Sequence, residues 1–585
     1  MFGTIFKTKD LNAVLATAQS APTPLRRSLG AGHVTLLGIG GIIGAGIFAT
    51  VGTAAAGDAV RLGAGPSLTL SFVITATVCA FTALCYAEMA AMVPVSGSAY
   101  TYSYATLGEV VAWVIGWDLM LEYAIGNVAV AISWGGYFNT LLETIGIHLP
   151  KWLIIDYRSA AKIPGVLENA PHLFGIPIVF NILAIGIVMT LTMVLVWGIR
   201  ESARFNAVMV TIKIVVLAFF VCVACWYVSP SEMAANWTPF QPNGWTGTLA
   251  GAAVVFFAFI GFDAVSTVAE ETRNPQRDLP IGIISSLVIC TIIYVIVSAV
   301  FTGLIPYSDL KNRPTAELAE SLTLALRHVA PQATWATGIV AFGSVVAHTA
   351  VLLVFQMGQP RIFFSMARDG LLPQAFTRVH PRFRTPHVTT IVTGLVVGVL
   401  SSLASIEEMV DLTNIGTLFA FTLVCIGIPI LRFRDPNRPR PFRVPFGPFL
   451  LPLMGAASCM GLAYYLPPAS WWRFFGWLAL GLSAYAGYGY SRSAIGRSMG
   501  RSQRTTLGLL GAALGFFCIA LGMFITPHNM SPAGLWATAY DLTHNMHDRA
   551  FYGLCCVGAG ILLTLVGLLL HRIQTKGNRQ TGTSV

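Results

Sequence analysis

The feature that most constrains this chain is a series of fourteen apolar runs, each about 20 residues long and bounded by charge or by Pro/Gly clusters. They lie near residues 34–56, 68–92, 110–137, 176–198, 205–228, 248–269, 281–304, 334–364, 388–404, 411–431, 449–466, 471–490, 506–526 and 551–571, numbered here spans 1 to 14. A helix of about 20 residues covers a hydrocarbon core about 30 Å thick. Transmembrane strands would alternate in polarity over about ten residues, and these runs do not. At 55% apolar and 10% charged, with a mean hydropathy of +0.70, the 585 residues stand far from soluble domains, where about a quarter are charged. The sequence is therefore read as an all-α polytopic membrane protein with about 14 helices.

The net charge of +10 raises the possibility of a nucleic-acid partner, and its distribution argues against one. With the N-terminus inside, twenty-five Lys and Arg residues fall in the inner loops and tails and nine in the outer loops. That bias is a topology signal and puts both termini in the cytoplasm. The first thirty residues lack a short apolar core followed by a small-residue cleavage site, so span 1 is expected to act as the insertion signal. The cysteines fall almost wholly within the spans, Cys222 and Cys225 included, and packing accounts for them better than redox or zinc chemistry.

Span 1 contains GIGGIIGAGIF, residues 38–48, with glycines at 38, 40, 41, 44 and 46. Five spans later FFAFIGFDAVSTVAEETRNPQRDLP, starting at Phe256, carries a second weak point at Ala258 to Gly261. An odd number of spans precedes the second unit, so it enters the membrane from the opposite side. Two five-helix halves of inverted topology, each opening with an interrupted helix, are how secondary transporters build a midplane site. Unwound backbone at that depth is tolerated where protein or a wet cavity surrounds it. N–H groups at Gly44, Ala45 and Gly46 would favour a carboxylate. Carbonyls freed near Phe257 and Ile260 would favour an ammonium, and the pair describes an α-amino acid. Gly40 and Gly44 also form a GxxxG, whose ordinary meaning is close helix packing.

These motifs resemble the amino acid, polyamine and organocation superfamily, and within it the cationic amino acid transporter family. GIGGIIGAGIF is similar to the superfamily's span-1 signature, and FFAFIGFDAVSTVAEETRNPQRDLPIGI to the family's span 6 and following loop. GQPRIFFSMARDGLLP, residues 358–373, resembles the end of its span 8, and WWRFFGWLALGLSAYAGYGYSRS, from Trp471, its span 12. The resemblance covers about residues 30 to 495. It implies the LeuT-like five-plus-five inverted-repeat fold of the leucine transporter. It also implies a carboxylate-binding backbone at Gly44, Ala45 and Gly46, and ammonium-binding carbonyls at Ile42, Phe257 and Ile260, with Phe257 as an aromatic gate. Lys213 matches a lysine that replaces sodium in similar transporters, which implies proton coupling.

On this reading residues 1–33 and 572–585 are cytoplasmic tails, 34–228 and 248–431 the two repeats, 449–490 spans 11 and 12, and 506–571 the extra spans 13 and 14. Lys213 lies nine residues from Arg204, about 13 Å along a helix and near mid-depth, so its protonation is a candidate switch for alternating access. Asp263, one turn past the span-6 break, is expected to attract a cationic side chain, join a proton path, or cap the unwound helix. Asp118 and Glu122 share one face of span 3; Glu122 is the deeper and is placed with the substrate, while Asp118 fits an interfacial position equally well. His348 in span 8 is expected to face the substrate or to be a satisfied packing residue, and if protonated it would repel lysine or arginine.

His528, His544 and His547, with Asp541 and Asp548, read as a solvated loop rather than a metal site. No cofactor, metal or catalytic motif is evident, and a small membrane subunit or a homo-oligomer stays open. The expected function is a secondary amino acid permease of a bacterial inner membrane. Cationic or broad-specificity, proton-coupled uptake is favoured over an exchanger such as an arginine/ornithine antiporter, a non-transporting amino acid sensor, or a membrane-embedded enzyme.

Overall fold

The computed structural model describes residues 7–9, 27, 29–58, 61–94, 98–161, 163–198, 203–383, 385–499, 506–525 and 548–580. Each of the fourteen runs corresponds to a helix or a broken helix, numbered here after the spans. Helix 1 comprises Ala31–Ile42, Ala45–Phe48 and Thr50–Ala56. Helices 2 to 5 are Leu68–Met92, Glu109–Thr144, Ile182–Trp197 and Ala203–Tyr227. Helix 6 begins as Gly244–Val255, tightens to a 3₁₀ turn at Phe256–Phe259 and resumes as a 3₁₀ helix at Asp263–Glu271. Helices 7 to 10 are Pro275–Leu304, Thr334–Arg368, His387–Leu403 and Ile406–Arg434. Helix 11, Leu450–Tyr464, and helix 12, Pro468–Ala484, form a pair bent by 116°. Helix 13, Leu507–Ile525, pairs with helix 14, Asp548–Gln580.

Helices 2, 3, 5, 6, 7, 8 and 10 are long and apolar enough to cross a membrane by length and composition. Their burial separates centre from rim. The most apolar stretches of helices 3 and 6 are 89% and 94% buried, whereas those of helices 5 and 7 are 39% and 44% buried. Helix 6 is apolar on every side because other helices surround it. The rim exposes Val215, Val288, Ile292, Ile296 and Val399, apolar side chains that a bilayer solvates. Cys222 and Cys225, free thiols on helix 5, belong to this exposed rim rather than to a packed helix face.

The segments between helices close the two ends. Between helices 7 and 8 lie three short helices, Tyr307–Lys311, Thr315–Leu318 and Ser321–Val329. Between helices 3 and 4, strands His172–Leu173 and Ile176–Pro177 pair antiparallel, Leu173 opposite Ile176. At the other end Leu29 N–H donates to the Glu271 carbonyl at 3.1 Å, and Arg273 N–H donates to the Leu29 carbonyl at 2.8 Å. Lys9 Nζ donates to Asp369 Oδ1 at 2.9 Å, and Tyr100 Oη donates to Asp369 Oδ2 at 2.9 Å. The described part of the N-terminal segment is thus tied to the helix bundle rather than hanging free. Helix 14 likewise continues to Gln580, through most of the stretch expected to be a polar tail.

Candidate functional site

Helix 1 unwinds at Ile43 and Gly44, with a lesser interruption at Ala49. Gly38, Gly40 and Gly41 stay helical, and the backbone turns extended at Ile43 (φ −75°, ψ 105°) before the outer half starts at Ala45. The helix 6 break centres on Ile260 (φ −61°, ψ 133°) and Gly261. Gly261 has φ +121°, a conformation that favours glycine. The two breaks touch. A β-carbon on Gly46 would sit 2.1 Å from Ala258 Cα, and one on Gly261 would sit 2.7 Å from the Gly41 carbonyl oxygen. The glycines of span 1 therefore serve close packing and the break together.

A broken helix leaves carbonyls on one side and N–H groups on the other without intrahelical partners. Neighbouring side chains supply most of the missing donors. Lys213 Nζ, fully buried on helix 5, donates to the carbonyl oxygens of Gly40 at 2.6 Å and Ile43 at 2.8 Å. An ammonium there also faces the negative end of the inner half-helix. Tyr294 Oη on helix 7 lies 2.8 Å from the Ile42 oxygen and 3.0 Å from the Ala258 oxygen. Its single proton serves one carbonyl at a time, so it spans both breaks. Asn414 Nδ2 on helix 10 donates to the Ala253 and Val254 oxygens at 2.8 and 3.2 Å. Ile260 N–H closes onto the Phe257 oxygen at 3.3 Å. On the outer side of the first break, the N–H groups of Ile47 and Phe48 return to the Gly44 oxygen. The N–H groups of Ala45 and Gly46 open the outer half-helix, where no carbonyl of that helix precedes them.

Side chains around the breaks divide into walls and unpaired groups. Phe256, Phe259 and Phe262 form ring pairs with Phe421, Phe72, Tyr294 and Tyr86; among the described residues Phe257 forms none. Ile42, Ala45, Gly46 and Ile260 are buried with it. A β-carbon on Gly44 would meet Val351 Cγ2 of helix 8 at 2.6 Å, which places helix 8 against the break. Asp263 Oδ1 accepts from Gly261 N–H at 3.3 Å and so caps the break, while its buried Oδ2 has no hydrogen-bond partner among the described residues.

The profile of the family described as amino acid permeases matches residues 29–468, which contain both breaks and every side chain just described. This chain belongs to the amino acid permease family. The permease is 45% identical over 495 residues to the branched-chain amino acid permease BcaP of Bacillus subtilis, covering 85% of this chain and 100% of that protein. It is 41% identical to the methylthioribose transporter of the same organism, over 84% of this chain and 99% of the relative. The vacuolar cationic amino acid transporter 4 of Arabidopsis thaliana is 36% identical over 74% of this chain and 68% of its own length. The relatives are named permeases and transporters, and the permease is an amino acid transporter, not an enzyme.

Two residues whose roles the sequence left open, His348 and Asp118, have definite neighbours in the permease. His348 has both ring nitrogens engaged: Nδ1 gives its proton to the Ser344 oxygen at 2.7 Å, and Nε2 meets Ser133 Oγ at 2.8 Å. Its ring packs between Phe48 and Tyr137, at 5.8 and 5.6 Å. It is a satisfied packing histidine with no nitrogen left for a ligand. Asp118 is fully buried rather than interfacial, its Oδ1 2.7 Å from where a β-carbon on Gly416 of helix 10 would stand. Among the described residues, neither of its oxygens, nor Glu122 Oε2, has a hydrogen-bond partner. Glu122 is buried within electrostatic reach of Asp263 and of Asp118, which are themselves buried. The histidine-bearing loop, residues 528–547, lies outside the described residues.

Tyr294 and Asn414 were invisible to sequence reasoning, since a lone Tyr or Asn in an apolar run leaves no periodic signal. Arg61 was counted only as an outer charge. Its Nη1 meets Asp411 Oδ1 at 2.5 Å, and its Nη2 and Nε meet Asp58 Oδ2 at 2.7 and 3.1 Å. Burial alone would lower the pKa of Arg61, but the flanking Asp411 and Asp58 carboxylates outweigh that and raise it. This arginine ties the turn after helix 1 to the start of helix 10. Beneath it, between Thr50, Thr53, Val254 and Val410, the cavity is about 10 Å³, room for about one water.

Proposed function

We propose that the permease carries out proton-coupled uptake of α-amino acids by alternating access, with the substrate bridging the two broken helices. One observation carries this reading: Gly46, at the start of the outer half of helix 1, packs backbone to backbone on Ala258 in the turn that leads into the helix 6 break. An α-carboxylate would take the N–H groups of Gly44, Ala45 and Gly46. The α-ammonium would take second lone pairs on the carbonyls of Ile42, Phe257 and Ile260, beneath the Phe257 ring. Main-chain recognition of this kind is indifferent to the side chain, so the substrate range is broad.

Lys213 is the coupling group in this reading. Its ammonium holds the inner half-helix at Gly40 and Ile43, and its deprotonation would remove the charge that strengthens both hydrogen bonds and so loosen that half. Helices 1–5 and 6–10 act as inverted repeats within about fourteen spans of a bacterial inner membrane, both termini cytoplasmic. Arg61 with Asp411 forms the outer closure, and Leu29 paired with Glu271 and Arg273 the inner one. Glu122 and Asp263 supply negative charge for cationic side chains.

A second reading favours aliphatic substrates. His348 is spent on packing, Val351 faces Gly44, and the 45% identical relative is named a branched-chain amino acid permease. Counterflow uptake into proteoliposomes across the twenty amino acids and ornithine, with and without an imposed pH gradient, separates these readings. Uptake that requires internal amino acid and ignores the pH gradient would establish an exchanger and overturn the proposal; binding without flux would establish a sensor.

A further inference from the structure

On the arginine-rich side, the start of helix 7 and the loop between helices 10 and 11 border an open cavity of about 520 Å³. Arg277, Ile281, Ile284 and Ser285 line it from helix 7, and Pro441 and Phe442 from the loop. Spacings of three and four put the helix 7 residues on one stripe. The stripe continues past the cavity as Val288, Ile292 and Ile296, all exposed on the apolar rim. The cavity is therefore charged at one end and open to hydrocarbon along the other. Arg277 is exposed, and among the described residues its guanidinium has no hydrogen bond or ion pair.

The loop wall is held in place from below. Glu88, buried near the inner end of helix 2, accepts from Arg432 Nε at 3.0 Å and Nη2 at 2.5 Å, and from Val444 N–H at 2.7 Å. Phe442 thus sits two residues from a fixed point. The same loop carries Arg438 and Arg443 and exposes Phe446 and Phe449, and the end of helix 10 beside it adds Phe433 and Arg434. Basic residues interleaved with exposed aromatics are what the headgroup layer of a membrane accommodates.

We propose that this cavity holds an anionic phospholipid of the cytoplasmic leaflet, its phosphate on Arg277 and one acyl chain against Ile281, Ile284 and Phe442. The proposal rests on the inside-positive orientation and is independent of the site at the broken helices. It accounts for an unpaired arginine beside an apolar channel that leads to the bilayer. A soluble anion would use the arginine and leave the channel without an occupant.

Native mass spectrometry of the full chain tests it, with phosphatidylglycerol and phosphatidylcholine offered in equal amounts. Phosphatidylglycerol should be retained in preference, and Arg277→Gln should retain about fivefold less of it, the worth of one basic group at an anionic surface. Arg277→Lys should restore most of the retention. Glycerol phosphate, the headgroup without chains, should fail to displace the lipid. Equal retention of the two lipids, undiminished phosphatidylglycerol on Arg277→Gln, or displacement by glycerol phosphate would each overturn the proposal. Because Arg277 is exposed and unpaired, its variants should keep the unsubstituted melting temperature, and because uptake is not the readout, failure here leaves the transport reading untouched.

Discussion

Gly46 and Ala258 meet backbone to backbone, with 2.1 Å between Ala258 Cα and the place a β-carbon would take on Gly46. No side chain is available to give way. Gly46→Ala should therefore push helix 1 off helix 6, abolish uptake into proteoliposomes and lower the melting temperature. Gly32→Ala, where nothing lies within 4 Å, is the matched control and should leave both unchanged. Normal uptake by Gly46→Ala would show that the breaks need not touch.

Lys213 is the donor to two carbonyls that helix 1 cannot satisfy itself. Lys213→Met keeps the length of the side chain and removes the donors, leaving buried acceptors that cost about 1–3 kcal/mol each. Uptake should fall at least about tenfold, equivalent to about 1.4 kcal/mol, and the residual activity should lose its pH dependence. A pH profile unchanged in shape would refute the coupling role.

Tyr294 places one hydroxyl between the Ile42 and Ala258 oxygens. Tyr294→Phe removes that proton without changing the ring's packing on Phe72 and Phe259. Loss of one buried hydrogen bond predicts a destabilisation of about 1–3 kcal/mol, together with weaker stabilisation by substrate in a thermal-shift assay. Equal stabilisation of both proteins would separate Tyr294 from the site.

Arg61 and Asp411, the outer closure in the proposed reading, pair beside a cavity with room for about one water. Asp411→Asn should open it. With the exposed cysteines removed, a cysteine introduced at Thr53 should react faster with a membrane-impermeant maleimide in Asp411→Asn than in the otherwise unsubstituted chain. Equal labelling rates would mean that the arginine does not gate access.

Glu320, half-buried in the outer segment between helices 7 and 8, turns its carboxyl group onto Thr140 of helix 3. Burial pushes it up from 4.5 to about 7, against the opposing Thr140 hydrogen bond and the nearby Arg327. The native state thus holds this proton more tightly than the unfolded chain. Its contribution is complete below about pH 4.5 and is lost as pH rises through about 7. The melting temperature should fall across that window and fall less in Glu320→Gln. An identical slope in the variant would assign the pH effect elsewhere.

Much of the architecture was legible because a bilayer imposes a coarse rule: long apolar runs become helices and arginines collect on one side. The positions of both breaks were legible too, from the glycine cluster of span 1 and the matching weak point at Ala258 to Gly261 five spans later. Reading alone could not say that Gly38 to Gly41 stay helical, because glycine permits a break without requiring one. Asp118 and His348 were placed from depth along a helix. Depth says nothing about the neighbour a residue meets, and the neighbours made one a buried carboxyl group against Gly416 and the other a packing residue.

What the sequence by itself determined is the class of molecule, an apolar helical chain with two weakened helices, since hydropathy and glycine act locally and survive without a fold. The tertiary structure decided which groups complete the weakened helices. Lys213, Tyr294 and Asn414 come from helices 5, 7 and 10 and reach carbonyls more than thirty residues away in sequence. Hydrogen bonds of a few ångströms between distant segments leave no trace in the spacing of residues along either one.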